Sequence, residues 1–129
     1  MHHLVYTSTV AFFTKEDLQG LLGRWRATNA RLGVTGVLLY GEGQVLQVLE
    51  GEAGPVQKLF ATIAADVRHR SVSKLADGPS PGRAFADWSM QFRAVDAAAF
   101  ARVVRQLQGS PSHAHGLASL LEAFMAEQP

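Results

Sequence analysis

The chain has 129 residues, 47% of them apolar and only 18% charged, with a formal charge of +1. That composition builds one compact globular core and excludes a disordered chain; no basic stripe is present to hold nucleic acid. There are no cysteines, which excludes disulfides and thiolate metal sites and fits the cytoplasm. The N-terminus "MHHLVYTS" lacks a signal-peptide pattern, and no apolar run approaches a membrane span.

In chain order, "LVYTS" (4–8) reads as a short strand of β-branched and aromatic residues. A helix follows, opened by a capping-box pair, Thr14 and Asp17, and striped by Leu18, Leu21, Leu22, Trp25 and Leu32. Gly33 suits its stop. "VTGVLLY" (34–40) and "QVLQVLE" (44–50) are strands joined by the hairpin signal "GEG". Gly54-Pro55 opens a second helix with Val56, Leu59, Phe60, Ile63 and Val67 on one face, and Asp66, Arg68 and His69 at its end. "SVSKLA" (71–76) is a fourth strand, "DGPSPGR" a loop, and "DWSMQFRAV" (87–95) a fifth strand. Two short amphipathic helices follow from Asp96, carrying Phe100, Val103, Val104 and Leu107, then Leu117, Leu120, Leu121, Phe124 and Met125.

The expected fold is therefore α+β: a ferredoxin-like β-α-β-β-α-β core extended to a five-stranded mixed sheet, with two helices on one face and two C-terminal helices. Residues 1–95 form the core, and 96–129 an extension too small to fold alone, expected to pack on the sheet or on another subunit.

Catalytic signals are sparse. There is no phosphate-binding or dinucleotide fingerprint. His113 and His115 lack a third metal ligand. Glu50 and Glu52 would share a strand face if the strand ran that far, and a carboxylate pair for acid/base work is conceivable, but solvation at the turn is the better account. More specific is the coincidence of polar residues at positions that should be half-buried or buried. Tyr6 and Gln47 sit mid-strand, and Asn29 lies near the apolar stripe of the first helix. Each alone fits ordinary packing. Together they could meet the polar edge of a planar ligand held between the two helices by Leu21 and Ile63.

These segments, read as "LVYTS", "DLQGLL", "N…GVTGVLLY", "VLQVLEGE", "I…DVRH" and "WSM" over residues 3–95, resemble the BLUF domains, sensors of blue light using flavin. The resemblance implies a blue-light photoreceptor that is not an enzyme and binds flavin non-covalently, FAD first and FMN as the alternative. It implies that Tyr6 donates an electron and a proton after excitation. Gln47 then rearranges its hydrogen bonds to the flavin N5/O4 edge. Asn29 would bind the ring carbonyl edge, with Thr28 standing where a second polar contact is made in relatives. Leu21 and Ile63 would sandwich the ring. Asp66, Arg68 and His69 would lie near the polar edge and ribityl chain, and Trp88 and Met90 would relay the change.

Trp25 stands where relatives carry a small residue. Ordinary core packing accounts for it; crowding of the flavin, or competition with Tyr6 as electron donor, is the sharper alternative. With only 34 residues after the core, no effector domain is expected to follow, so the signal would leave through a protein partner or a homo-oligomer interface. The competing readings are a ferredoxin-like interaction module insensitive to light and a small ferredoxin-like enzyme.

Overall fold

The structure is a computed structural model that describes residues 1–10, 15–66, 69–79 and 91–109. Its elements run β1 (His2–Val10), α1 (Lys15–Leu32), β2 (Thr35–Gly41), β3 (Gln44–Gly51), α2 (Ala53–Ala65), β4 (His69–Pro79), β5 (Gln91–Ala94) and α3 (Ala97–Gly109). The sheet order is β4-β1-β3-β2-β5. The first four strands pair antiparallel, in the order of a split βαβ arrangement, and β5 lies parallel to β2. The α+β class agrees with the sequence reading.

Three segments depart from expectation. α2 ends at Ala65, because Asp66 adopts an extended backbone (φ −74°, ψ 129°) while its N–H still closes on the Ile63 carbonyl. His69 accordingly belongs to β4, paired with Val10, and not to a helix end. β4 also runs on through Asp77, Gly78 and Pro79, which composition marked as loop. Pairing with His2, His3 and Leu4 of a long β1 keeps them extended. β3 runs one residue past its expected end, to Gly51, and Glu50 is buried and not solvated at a turn, while Glu52, the residue before α2, lies off the strand and is exposed. Val67 and Arg68, the strand start at 87–90 with Trp88 and Met90, Thr14, His113, His115 and the second C-terminal helix lie outside the described residues.

The sheet separates two apolar layers, as strand alternation requires. On one side Val5, Val37, Leu39, Leu46 and Val48 pack under Phe100 and Val103 of α3. Asp96 caps that helix, its Oδ1 accepting from the Ala99 N–H at 2.7 Å. On the other side Leu4, Tyr6, Val34 and Leu49 meet Val56, Leu59, Phe60 and Ile63 of α2. Val10, Leu38 and Val45 meet Leu22 and Trp25 of α1 on that same side. Among the described residues, no helix is long and apolar enough to cross a membrane.

Candidate functional site

The site lies on the face that α1 and α2 cover. β1 and β3 are in a register that sets Tyr6 directly opposite Gln47, and β2 sets Leu38 opposite Gln47 from the other side. Cross-strand partners share a face. Tyr6 is fully buried and Gln47 is 5% exposed. The Tyr6 hydroxyl donates a hydrogen bond to Gln47 Oε1. With the oxygen end of the amide turned to Tyr6, both donors of Gln47 lie on its other end.

Burial does more than hide these groups. It pushes the Tyr6 phenol far above its ordinary value, so the neutral hydroxyl is the resting form. Leaving a buried hydroxyl or amide unpaired costs about 1–3 kcal/mol, which strongly favours the pair over either group alone. The Tyr6 ring is held from the helix side by Phe60 of α2, with centroids 5.4 Å apart and planes at 62°. Such an edge-to-face pair contributes about 0.5–1.5 kcal/mol beyond area burial.

Asn29 is delivered by the way α1 ends. Leu22, Trp25 and Asn29 recur at helical spacing, so Asn29 continues the inward stripe, and it is 2% exposed. Gly33, at φ +69°, lets the chain reverse. The Val34 N–H then bonds the Asn29 carbonyl at 2.8 Å, and the Gly33 N–H bonds the Ala30 carbonyl at 3.2 Å. This Schellman closure ties the Asn29 backbone to the start of β2, where Val34 is buried. A second glycine matters for the sheet: a Cβ on Gly36 would stand 1.8 Å from the Val48 carbonyl oxygen, so only glycine lets β2 approach β3 here.

The remaining expected positions are distributed around this centre. Leu21 is buried on α1; Thr28 is half-buried. Ile63 is half-buried and packs with the cluster that holds Tyr6. Trp25 is half-buried and packs in the other cluster, with Val10, Leu22, Leu38 and Val45. Asp66 is half-buried at the end of α2. The structure joins Tyr6 directly to Gln47.

Two neighbours escaped the sequence reading as site residues. Phe60 was legible only as a core position. Ser8, two residues along β1 from Tyr6 and 4% exposed, shares its face by simple alternation and could have been found that way.

The donor set suits a flat heteroaromatic ring. It is the Tyr6 phenol and the Gln47 amide, joined and buried in an apolar layer beside Phe60 and Ile63 of α2.

A family model described as sensors of blue-light using FAD matches residues 1–91. The chain belongs to the BLUF family. A blue-light flavin sensor is accordingly what this chain is, and FAD is the flavin named for the family. The dark-state structure of BlrB, a BLUF protein, superposes with a TM-score of 0.73 at 28% identity, covering 98% of this chain and 95% of that one. BlrP1 of Klebsiella pneumoniae, solved with FMN and cyclic diGMP, gives 0.70 at 32% identity over 98% of this chain and 34% of its own. The photoactivated adenylate cyclase subunit beta of Euglena longa is 41% identical over 68 residues, 53% of this chain. This BLUF chain spans only 8% of that relative's length.

Proposed function

We propose that Tyr6 and Gln47 are the photochemical pair of this sensor, and that their hydrogen bond is the switch. Bound between α1 and α2, the flavin supplies the blue-light chromophore and, once excited, an electron acceptor. Leu21 and Ile63 hold its faces, and Asn29, with Thr28, binds its carbonyl edge. Asp66, Arg68 and His69 serve the polar edge and ribityl chain. Tyr6 would give an electron and then its hydroxyl proton to the excited flavin. Gln47 turns its amide end for end. Return of electron and proton restores Tyr6, while the amide keeps its second setting until it relaxes in the dark.

The observation that carries this reading is the buried Tyr6–Gln47 hydrogen bond. Apolar neighbours on the same face (Leu4, Leu38, Val45 and Leu49) keep water from competing for the amide, so it has few alternatives to two settings. A net hydrogen bond is worth about 1 kcal/mol and an unpaired buried group about 1–3 kcal/mol. Rotating one amide therefore biases a poised element without unfolding the domain.

Residues 1–95 act as the flavin-binding core and 96–129 as its extension. Trp88 and Met90 pass the change on, and the output goes to a protein partner or to a second copy of the chain. FAD is the flavin favoured, on the family description, with FMN the alternative, supported by the relative solved with it. Purification in the dark tests the reading. The protein should be yellow, release FAD on denaturation, and show flavin bands that move reversibly to the red in blue light. A colourless chain that takes up neither flavin on reconstitution would contradict it.

A further inference from the structure

A tethered charge pair next to Tyr6, Lys74 and Asp77, takes no direct part in the photochemistry. Lys74 is the Cα partner of Tyr6 across β1 and β4, so both side chains stand on the α2 side of the sheet. Its ammonium sits 4.9 Å from the centroid of the Phe60 ring, the same ring that packs on Tyr6 at 5.4 Å. The two distances bound the separation of charge and phenol ring centre at about 10 Å, comparable to the Debye length at physiological salt.

An exposed lysine is ordinarily too mobile to act at that range. Here it is tethered. Lys74 Nζ bonds Asp77 Oδ2 at 2.8 Å. The other oxygen of Asp77 is gripped from two more elements, by His2 Nε2 of β1 at 2.6 Å and by Gln57 Nε2 of α2 at 2.8 Å. The carboxylate thus holds the ammonium over Phe60, whose ring also packs on Tyr6.

We infer that the Lys74–Asp77 pair sets, through the space occupied by Phe60, how readily Tyr6 gives up its electron. The sign follows from the step itself. One electron leaves the phenol for the excited flavin, and the ring is positive until the hydroxyl proton follows. A cation nearby opposes that state and an anion favours it. Lys74, stacked on Phe60, is the member in contact with the intervening ring, so the pair restrains Tyr6. Lys74 and Asp77 are tuning residues that act through the field and touch neither proton nor electron.

The two variants Lys74→Met and Asp77→Asn separate this from a merely structural role. Loosening Phe60 would move both in one direction. An electrostatic bias moves them in opposite directions. In the flavin-loaded full chain, ultrafast decay of the excited flavin should be about two- to fivefold faster in Lys74→Met and slower in Asp77→Asn.

A second readout needs no light. The chain has two tyrosines, so fluorotyrosine incorporated into a Tyr40→Phe background labels Tyr6 alone. Its ionisation, followed by fluorine NMR, should move up by about 0.3–1 pKa unit in Lys74→Met and down in Asp77→Asn.

The rate effect depends on Tyr6 being the donor proposed above; the titration does not. Opposed NMR shifts with unchanged decay rates would keep the bias and overturn Tyr6 as donor. Shifts of the same sign, or none, in both variants would overturn the bias and leave the donor assignment standing.

Discussion

Tyr6 and Gln47 are cross-strand partners on adjacent strands, and the hydroxyl of one donates to the amide oxygen of the other inside an apolar layer. Their register is set by two features of the chain. β1 pairs β3 in unbroken register, from His2 opposite Gly51 to Thr9 opposite Gln44, and a slip of one residue would turn Tyr6 to the α3 side. The tight turn through Glu42 and Gly43, both at positive φ, anchors β3 against β2 from the other end.

Replacing Tyr6 by Phe keeps the ring against Phe60 but removes the donor to Gln47. A cost of about 1–2 kcal/mol in chemical denaturation is expected, with complete loss of the light-induced red shift. The same variant changes alkaline behaviour. Burial raises the folded Tyr6 phenol above its ordinary 10.0, so its stabilising contribution is whole below pH 10 and is lost as pH climbs toward the folded value. Tyr6→Phe should lose stability less steeply above pH 10 than the parent chain.

Trp25 belongs to the cluster of Val10, Leu22, Leu38 and Val45, not to the one that holds Tyr6. Trp25→Phe should therefore act as a packing change, costing about 1–2 kcal/mol. Transient radical signals and red-shift yield should match the parent. A changed yield or altered radical spectrum would make Trp25 a competing donor.

Gly36→Ala tests the contact between β2 and β3. The added methyl carbon meets backbone, the Val48 carbonyl oxygen at 1.8 Å, and not a side chain that could rotate away. The strands must part, two residues from the Leu38 that pairs with Gln47. A loss of about 3 kcal/mol or more is expected on thermal or urea unfolding, together with weakened flavin retention.

Acid titration tests the clamp on β4. The hydrogen bond from Lys74, then that from His2, hold the Asp77 carboxyl at about 2, below its usual 3.8. A lowered carboxylate stabilises the fold above the unfolded value and loses that contribution as pH falls through the folded one. Asp77→Asn should be less stable than the parent at neutral pH. The gap should close between pH 3.8 and about 2, as followed by circular dichroism.

Much of this was legible in the residues. β-branched and aromatic residues marked the strand around Tyr6, an apolar run marked the strand around Gln47, and their pairing carries the two to one face. Gly33 as a helix stop was readable because few residues other than glycine accept its positive φ. The length of β4 was not. "DGP" carries the composition of a turn, and only its long-range pairing with the first residues of β1 holds it extended. The end of α2 failed for a related reason: "DVRH" continues a helical pattern locally, while β4 recruits His69 through a partner 59 residues away in sequence, Val10. Lys74 offered no signal at all, since its meaning depends on a bulged register between β1 and β4.

The most direct test of the switch is the light-minus-dark absorption spectrum of Gln47→Leu beside that of the parent chain. Leu fills the buried position without an amide to turn. The parent should shift to the red in blue light and revert in the dark; the variant, folded and with flavin bound, should show no shift. A normal, reversible red shift in Gln47→Leu would contradict the account.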